Sequence, residues 1–249
     1  MKYSRSLPIL FLALLLACRT PMVTTGGSQK FYAVQSTTAT DSISPIEHFL
    51  KPFRDSLSMQ MNVVVAKAQG NFVKEKPAGS LGNLVTEAML WSARQVNPAC
   101  EMSVCNYGGI RIPQISAGDI TVGKVFELLP FENTLVIVEV PGKVLQQWIQ
   151  LMASSEGWPV NGVNVDVNGT TISLQSLSAE NSAPKPIDET KTYRVVTNDY
   201  VANGGDKCSF LKDLPRKDLK VLVRDALTQY LREQKTLVPQ QTKHFTIHP

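Results

Sequence analysis

Hydrophobic residues recur at helical spacing in several parts of this chain. The clearest helix start is Ser44-Pro45-Ile46-Glu47, which places a capping residue, a proline at the first helical position and a glutamate three residues after the cap. Apolar residues then repeat on one helical face at Ile46, Phe49, Leu50, Phe53 and Leu57. Similar spacing predicts helices over Ser80–Gln95, with Leu81, Leu84, Val85, Ala88 and Met89 buried, and over Thr121–Leu128, Pro141–Ala153 and Asp218–Glu233.

Short apolar runs rich in β-branched residues alternate with these helices. They predict strands over Asn62–Ala68, Met102–Cys105, Thr134–Val140 and Tyr193–Thr197, and weaker strands at Val163–Val167, Thr170–Leu174 and Lys243–Ile247. Several of these strands are expected to be antiparallel neighbours. The predicted fold class is therefore α+β, or mixed α/β: a mixed sheet with helices packed against it.

The first residues resemble an export signal. Lys2 and Arg5 precede an apolar run, Leu7 to Ala17, that is too short to span a bilayer. The run ends in Leu15-Leu16-Ala17-Cys18, which resembles the lipobox of bacterial lipoprotein signal peptides and implies cleavage before Cys18 and lipidation of that cysteine. The alternative is a plain secretory signal. The predicted organisation is a signal peptide at 1–17, a Ser/Thr/Gly-rich tether at 18–43 and one domain at 44–249, exported and membrane-anchored in the periplasm or at the cell surface.

Charge and cysteine content exclude some classes of function. Removing residues 1–17 takes away two positive charges, so the net side-chain charge falls from +4 to +2. With no Lys/Arg cluster, this balance does not favour nucleic-acid binding. Cys100, Cys105 and Cys208 remain as an odd number of thiols, either as one disulfide with a free thiol or as three buried thiols. Their spacing does not match a metal site.

The segment from Asn198 to Asp206 combines an aromatic ring with a carboxylate. Tyr200 and Asp206 stand six residues apart, with Gly204 and Gly205 directly before the carboxylate. The ring can stack on a flat heterocycle, the carboxylate can accept hydrogen bonds from it, and the glycines allow a sharp turn close to a ligand. A strand that simply ends in a glycine-rich turn is the structural alternative.

Four segments together resemble a known family. They are Gly79-Ser80-Leu81-Gly82-Asn83-Leu84-Val85, Asn106-Tyr107-Gly108-Gly109-Ile110-Arg111, Leu129-Pro130-Phe131-Glu132-Asn133-Thr134, and Tyr200 to Asp206. Their order and spacing resemble the C-terminal, substrate-binding domain of the 5'-nucleotidases, a family that includes UDP-sugar hydrolases and 2',3'-cyclic phosphodiesterases. The resemblance extends from about Phe49 to Pro249.

The resemblance implies a role for several side chains around a nucleotide. Phe131 and Tyr200 match the two aromatics that sandwich the nucleobase, and Asn133 matches a side chain that hydrogen-bonds the base. Asp206 matches the carboxylate that accepts from the nucleoside. Each of these side chains also has a structural explanation that the sequence leaves open, such as a core aromatic or a cap for local amides.

The phosphate side of the resemblance is less complete. Asn106 and Arg111 match the ends of the family's Asn-Gly-Gly-Gly-x-Arg turn, in which the arginine meets the substrate phosphate; an ordinary surface ion pair is the alternative for Arg111. The first glycine of that turn is Tyr107 here, which would add an aromatic contact or narrow the pocket. The family's usual Arg-Glu pair is replaced by Pro77-Ala78, and a nearby lysine, Lys74 or Lys76, could substitute only as a point charge.

The family's catalytic residues have no counterpart in this sequence. There the substrate domain follows a metallophosphatase domain whose two metals need a cluster of His, Asp and Asn ligands. This chain has His48, His244 and His248 and no Asp-x-His or Gly-Asn-His-Glu/Asp run, and we interpret the last two histidines as surface residues. We therefore expect no catalytic residue, metal site or cofactor here, and no hydrolysis by this chain alone.

Two functions fit these expectations. In the first, the chain is the substrate-recognition half of a split 5'-nucleotidase, and divalent metals lie on a separately encoded metallophosphatase. In the second, it is a stand-alone nucleotide- or nucleoside-binding lipoprotein without catalysis. Reuse of the fold in a structural surface protein is a third possibility. The sequence does not indicate the preferred base.

Overall fold

The computed structural model describes residues 44–77, 79–178 and 183–248. The predicted signal peptide, lipidation site and tether lie outside these residues. The chain divides into two units between Lys51 and Pro52. The first helix crosses this division, and every other element given below belongs to the second unit. No helix in the described ranges has the length and apolar character needed to cross a membrane.

The predicted helices are present, with one corrected start. The helices are α1 Ser44–Met61, α2 Ser80–Val96, α3 Val122–Leu128, α4 Gly142–Ser154, α5 Asp199–Ala202 and α6 Val223–Gln234. The apolar residues predicted on one face of α1 are all exposed. In α2, by contrast, all five residues predicted to be buried are buried.

The strands form several small sheets rather than one. In chain order they are β1 Val64–Ala68, β2 Phe72–Val73, β3 Met102–Val104, β4 Gln114–Ile115, β5 Gly118–Thr121, β6 Thr134–Pro141, β7 Val160–Asn161, β8 Val163–Asn168, β9 Thr171–Ser176, β10 Lys185–Pro186, β11 Thr192–Asn198, β12 Arg216–Leu222, β13 Thr236–Leu237 and β14 Phe245–His248. The sheet orders are β12-β6-β11-β3-β7, β10-β9-β8-β14, β13-β1-β5 and β2-β4. Parallel and antiparallel pairs occur together, so the predicted mixed α+β class is confirmed.

Alternation along β6 explains how the five-stranded sheet holds helices on both faces. Successive side chains of a strand point to opposite faces. Leu135 and Ile137 belong to the apolar cluster that contains α2 and α6, whereas Val136 and Val138 belong to the cluster that contains α4. Burial of each such side chain contributes about 1.5–3 kcal/mol. The central strands are thus buried on both faces, which makes this sheet the rigid base for the loops at its edges.

The prediction of one helix over Asp218–Glu233 is wrong in its first turn. Residues up to Leu222 form strand β12, which pairs antiparallel with β6, and the helix begins at Val223. Leu219 and Val221, spaced two apart, pack against the cluster of α2 and α6. Pairing with the free edge of β6 outweighs the helical periodicity because it satisfies a row of backbone groups that would otherwise lack partners.

Of the carboxyl-terminal predictions, the strand is confirmed and the placement of His244 is wrong. Residues Phe245–His248 do form a strand, but it pairs parallel with β8 in the separate four-stranded sheet. The prediction of His244 as a surface residue is wrong, since the side chain is 8% exposed and its Nδ1 lies 2.9 Å from Asn164 Oδ1. Burial lowers the pKa of His244 because the charged form loses hydration. His248 is exposed and lies 2.9 Å from Asp166 Oδ2.

The three cysteines after the predicted leader are free and buried. Of the two alternatives left open by their odd number, the structure has three buried thiols. Burial raises the pKa of the Cys105 thiol to about 12. Burial and the negative charge of Asp206 together raise the pKa of the Cys208 thiol to about 12. The thiolate is the reactive form of cysteine, and a raised pKa keeps the thiol protonated at neutral pH. These cysteines are therefore unreactive core residues at that pH.

Candidate functional site

The loops that carry the candidate binding residues lie together at one end of the strands of the five-stranded sheet. Strands β3 and β11 are parallel and β6 is antiparallel to β11, with Asn198 opposite Leu135 and Val196 opposite Ser103. The carboxyl ends of β3 and β11 therefore meet the amino end of β6. Three of the four sequence segments singled out above leave or enter the sheet at this end, so segments far apart in the chain become neighbours.

All six residues predicted to bind substrate line one cavity at this end of the strands. Its volume is about 350 Å³, within the usual range for small-molecule sites. The lining consists of Asn106, Gly108, Gly109, Arg111, Phe131, Asn133, Tyr200 and Asp206. The rings of Phe131 and Tyr200 are 45% and 47% exposed, so both are accessible to a ligand.

The fourth segment, Gly79–Val85, does not line this cavity. It begins α2, with Gly79 at the cap position. At Gly82 a Cβ atom would lie 2.7 Å from Pro159 Cγ, so this glycine permits close packing of the helix. Asn83 Nδ2 donates to the carbonyl oxygen of Thr242 at 2.8 Å. Within the described residues this segment therefore has a structural role beside the site.

The Tyr200 ring forms one wall of the cavity, and its position depends on Gly205, the residue before Asp206. A Cβ atom at Gly205 would lie 2.5 Å from Cζ and Cε1 of the Tyr200 ring, which is closer than real Cβ contacts come. The ring packs directly on this backbone, and its hydroxyl donates to Asp206 Oδ1 at 3.1 Å. Gly204 has φ +97°, in the left-handed region that favours glycine. Both glycines are thus required by the local geometry.

The Asp206 carboxylate is held by donors from two other elements. The backbone of Asp206 has φ 49° and ψ 41°, a left-handed conformation that Asp tolerates better than most residues. Asn106 Nδ2 donates to Asp206 Oδ2 at 2.6 Å, and Asn198 Nδ2 donates to Asn106 Oδ1 at 2.9 Å. Sequence reasoning assigned no role to Asn198, although it ends a strand at the start of the singled-out segment.

The Phe131 wall is anchored from α6. Arg224 Nη1 donates to the Phe131 carbonyl oxygen at 3.4 Å, and the Arg224 guanidinium lies 4.7 Å from the centre of the Phe126 ring. The backbone N–H of Val223 donates to the carbonyl oxygen of Asn133 at 2.9 Å. Arg224 is a further residue that sequence reasoning missed, because the contact joins positions about ninety residues apart.

One carboxylate oxygen connects the two walls. Asp199 Oδ1 accepts from the backbone N–H of Thr134 at 3.1 Å and from that of Tyr200 at 2.9 Å. The first contact lies at the start of β6, just after the segment that carries Phe131, and the second lies in α5. The Asp199 carboxylate therefore ties together the backbone of the two segments that carry the aromatic rings.

Tyr107 does not line the cavity, so neither effect expected of it at the pocket is seen. Its ring instead lies 4.0 Å from Lys74 Nζ and 5.1 Å from Lys76 Nζ. Lys74 Nζ also donates to the Ile110 carbonyl oxygen at 2.7 Å, and Lys76 Nζ donates to Glu156 Oε2 at 3.0 Å. The two ammonium groups therefore already have partners around the turn that carries Arg111.

Positive charge nevertheless accumulates beside the cavity. The pKa of Lys74 is lowered, first by burial and then by the neighbouring positive charges of Arg111 and Lys76. Arg111 itself is exposed; its Nη1 donates to the Gly108 carbonyl oxygen at 3.2 Å, and its guanidinium lies 5.5 Å from the centre of the Phe131 ring. A bound anion at this rim would relieve the repulsion between these cations.

The metal pair used by hydrolases of the resembled family needs a cluster of His, Asp and Asn ligands. In the part of the chain that the structure describes, no group of three or more His, Cys, Asp or Glu side chains is placed to hold a metal ion. The described residues therefore do not fit such a centre. The arrangement at this end of the strands can stack a flat ring, accept hydrogen bonds at Asp206 and offer a cation at Arg111.

Comparison with known proteins identifies relatives over most of the chain. The family model described as the 5'-nucleotidase C-terminal domain matches residues 63–213, more than half of the chain. The probable 5'-nucleotidase of Treponema pallidum is 30% identical over 219 residues, which cover 79% of this chain and 36% of that protein. Protein UshA of Yersinia enterocolitica is 24% identical over 216 residues, covering 85% of this chain and 38% of that protein.

A solved structure is also similar to most of this chain. The 5'-nucleotidase precursor from Thermus thermophilus superimposes with a TM-score of 0.69 and 28% identity, over 82% of this chain and 43% of that one. The chain thus spans less than half the length of the relatives it matches.

Proposed function

This chain belongs to the 5'-nucleotidase C-terminal domain family, and on that premise we propose that it is the nucleotide- or nucleoside-recognition subunit of a split 5'-nucleotidase. In this arrangement the chain holds the substrate for nucleotide catabolism, and a separately encoded metallophosphatase supplies the divalent metals and the attacking water. The observation that carries the proposal is the single cavity in which all six expected substrate contacts meet.

Stacking supplies the main binding energy in this proposal. A base inserted between Phe131 and Tyr200 would contact one ring on each face. Base–aromatic stacking is worth about 1–3 kcal/mol per base in nucleic-acid binders. Asp206 accepts hydrogen bonds from the nucleoside, and Asn133 supplies a polar contact to the base. Because the Asp199 carboxylate already joins the backbone of the two segments that carry the rings, ordering these segments costs less free energy on binding.

Recognition of the phosphate falls to Arg111. Replacing Arg111 by alanine should weaken binding of AMP by about tenfold, since one hydrogen bond to a charged group is lost, and weaken adenosine by less than about twofold. Calorimetric titration of both ligands measures this difference. Arg232→Ala, at an exposed arginine of α6 outside the cavity, is the matched control. An equal loss of affinity for AMP and adenosine would show that Arg111 does not contact the phosphate.

The split arrangement is tested by reconstitution. The candidate partner is a protein with a metallophosphatase signature encoded next to this chain. AMP and UMP hydrolysis is measured with the chain alone, the partner alone and both, in the presence of Mn²⁺. We expect no hydrolysis by the chain alone and a higher kcat/KM for the pair than for the partner alone. Hydrolysis by the isolated chain, or a partner whose rate the chain does not change, contradicts the proposal.

A stand-alone nucleoside-binding protein is the second candidate function. It is favoured by the engagement of Lys74 and Lys76 with Tyr107, Ile110 and Glu156, which leaves Arg111 as the main cation for a phosphate. In this case adenosine binds as tightly as AMP, and no neighbouring metallophosphatase gains activity from the chain. The Arg111 and reconstitution experiments therefore distinguish the two functions.

The proposal includes export and a lipid anchor at Cys18. Its support is the sequence Leu15-Leu16-Ala17-Cys18 after a short apolar run. Replacing Cys18 by alanine in the producing cells should move the chain from the membrane fraction to the soluble fraction, as judged by immunoblotting after ultracentrifugation. Retention of the Cys18→Ala chain in the membrane fraction would contradict the anchor.

A further inference from the structure

We infer that Asn198, which does not itself line the cavity, is a positioning residue that sets the orientation of the Asp206 carboxylate through Asn106. The inference rests on the proposed function for its consequence in binding, but the hydrogen-bond relay itself is a property of the ligand-free protein. Asn198 and Asn106 are 2% and 4% exposed, so neither side chain can replace its partners by water at low cost.

The relay begins at a backbone group with a fixed polarity. The N–H of Val201 donates to Asn198 Oδ1 at 2.9 Å at the start of α5. A backbone N–H can only donate, so the oxygen of the Asn198 amide must face it. The Nδ2 group of Asn198 is then directed at Asn106 Oδ1, 2.9 Å away. The orientation of the first amide is therefore determined by main chain.

The second amide of the relay is that of Asn106, and its orientation follows from the orientation of the Asn198 amide. Because Asn106 Oδ1 accepts from Asn198, the Nδ2 group of Asn106 faces Asp206 Oδ2 at 2.6 Å. A reversed Asn106 would oppose its carbonyl oxygen to the carboxylate and its NH₂ group to that of Asn198. Gly109 leaves room for this arrangement, since a Cβ atom there would lie 3.0 Å from Asn106 Oδ1.

The relay leaves the carboxylate organised before a ligand arrives. Asp206 Oδ2 is held by Asn106, and Oδ1 is held by the hydroxyl of Tyr200 at 3.1 Å. An ionised carboxylate offers about four acceptor positions, so each oxygen retains capacity for a donor from the ligand. A ligand then loses little free energy in ordering this group, which is how a buried residue outside the cavity can raise affinity.

The test is Asn198→Asp, a change of nearly constant shape. The variant keeps an acceptor for Val201 N–H but presents an acceptor where Asn106 Oδ1 needs a donor. We expect the affinity for adenosine to fall by about tenfold or more. In an Asp206→Ala background the same change should cost less than about twofold, because the group on which it acts is gone. A purely structural effect of Asn198→Asp would be the same in both backgrounds.

Two further variants control for charge and folding. Asn203→Asp adds the same charge in the same turn, where the side-chain oxygen that accepts from Arg216 Nη1 is retained, and should change adenosine affinity by less than about twofold. If Asn198→Asp does not fold, Asn198→Ser serves instead, because serine can still cap Val201 N–H but cannot reach Asn106. Wild-type affinity in the folded Asn198 variants, or equal losses with and without Asp206, overturns the inference.

A readout without ligand separates this inference from the proposed function. In the amide NMR spectrum of the free protein, Asn198→Ser and Asp206→Ala should each shift the side-chain NH₂ resonances of Asn106, whereas Asn203→Asp should leave them in place. If the wild-type chain binds no nucleoside, the proposed function fails and this spectrum still decides the relay. Unchanged Asn106 resonances in both relay variants would show that the relay is absent.

Discussion

Replacing Phe131 and Tyr200 together by alanine should lower the affinity for adenosine by at least about 30-fold, which corresponds to loss of both stacking faces at about 1–3 kcal/mol each. Each single replacement should lower the affinity by about fivefold or more. The rings are roughly half exposed, so their removal leaves no buried cavity, and the fold should be retained. Calorimetry gives the affinities, and thermal unfolding followed by circular dichroism verifies the fold.

Phe53→Ala is the control for this experiment, because it removes an exposed phenylalanine of α1 that does not line the cavity. Its adenosine affinity should match that of the wild-type chain. A Phe131/Tyr200 double variant that is folded and still binds adenosine with wild-type affinity would show that the base is not held between these rings.

Replacing Gly205 by alanine should remove the Tyr200 wall without touching the tyrosine. The added Cβ would lie 2.5 Å from two atoms of the ring, so the ring must leave its present position and lose its contact with Asp206 Oδ1. We expect the loss of adenosine affinity to equal that of Tyr200→Ala, about fivefold or more. Combining Gly205→Ala with Tyr200→Ala should add little, because both changes act on the same group.

Gly108→Ala is the matched control, since it also adds one methyl group at the cavity. The Cβ there would meet only Asn106 Nδ2, at 3.8 Å, which is an ordinary contact. We expect an affinity loss of less than about threefold for this variant. If Gly205→Ala binds as well as Gly108→Ala, the packing of Tyr200 on the glycine turn does not matter for recognition.

Much of the fold could be predicted because most elements follow local patterns. The helix α2 is an example: its apolar spacing predicted the buried face, which packs in the cluster with α6. The strand β12 is the opposite case. Its residues carry a helical pattern, and only the unoccupied edge of β6, more than seventy residues earlier in the chain, makes them a strand. Local pattern cannot report such a long-range partner.

The residues of the candidate site also differ in whether they could be predicted from the sequence. The residues whose chemistry suits a nucleotide, such as Phe131, Tyr200 and Asp206, could be selected from the sequence, and the structure places them around one cavity. The residues that hold these three side chains in place could not be selected from the sequence. Arg224 and Asn198 act through contacts with residues about ninety positions away, which have no signature in the chain itself. The predicted roles thus came from side-chain chemistry at Tyr200 and Asp206 and from the resemblance to a known family, whereas the supporting contacts depend on the topology of the fold.

Tyr107 illustrates how a departure from a family pattern can be misread. From the sequence, its phenol was expected at the pocket, where it would stack on the base or narrow the space. Its ring instead lies beside the ammonium groups of Lys74 and Lys76, outside the cavity lining. The loop can direct this side chain away because the two glycines after Tyr107 provide the backbone that lines the cavity.

Recognition of a nucleoside at the Phe131–Tyr200 cavity is tested most directly by calorimetric titration of the full wild-type chain with adenosine, with the Phe131→Ala/Tyr200→Ala chain titrated in parallel. We predict saturable binding with one site per chain, and an affinity at least about 30-fold lower for the folded double variant. Absence of binding by the folded wild-type chain to adenosine, and equally to AMP and UMP, would contradict nucleotide recognition at this cavity.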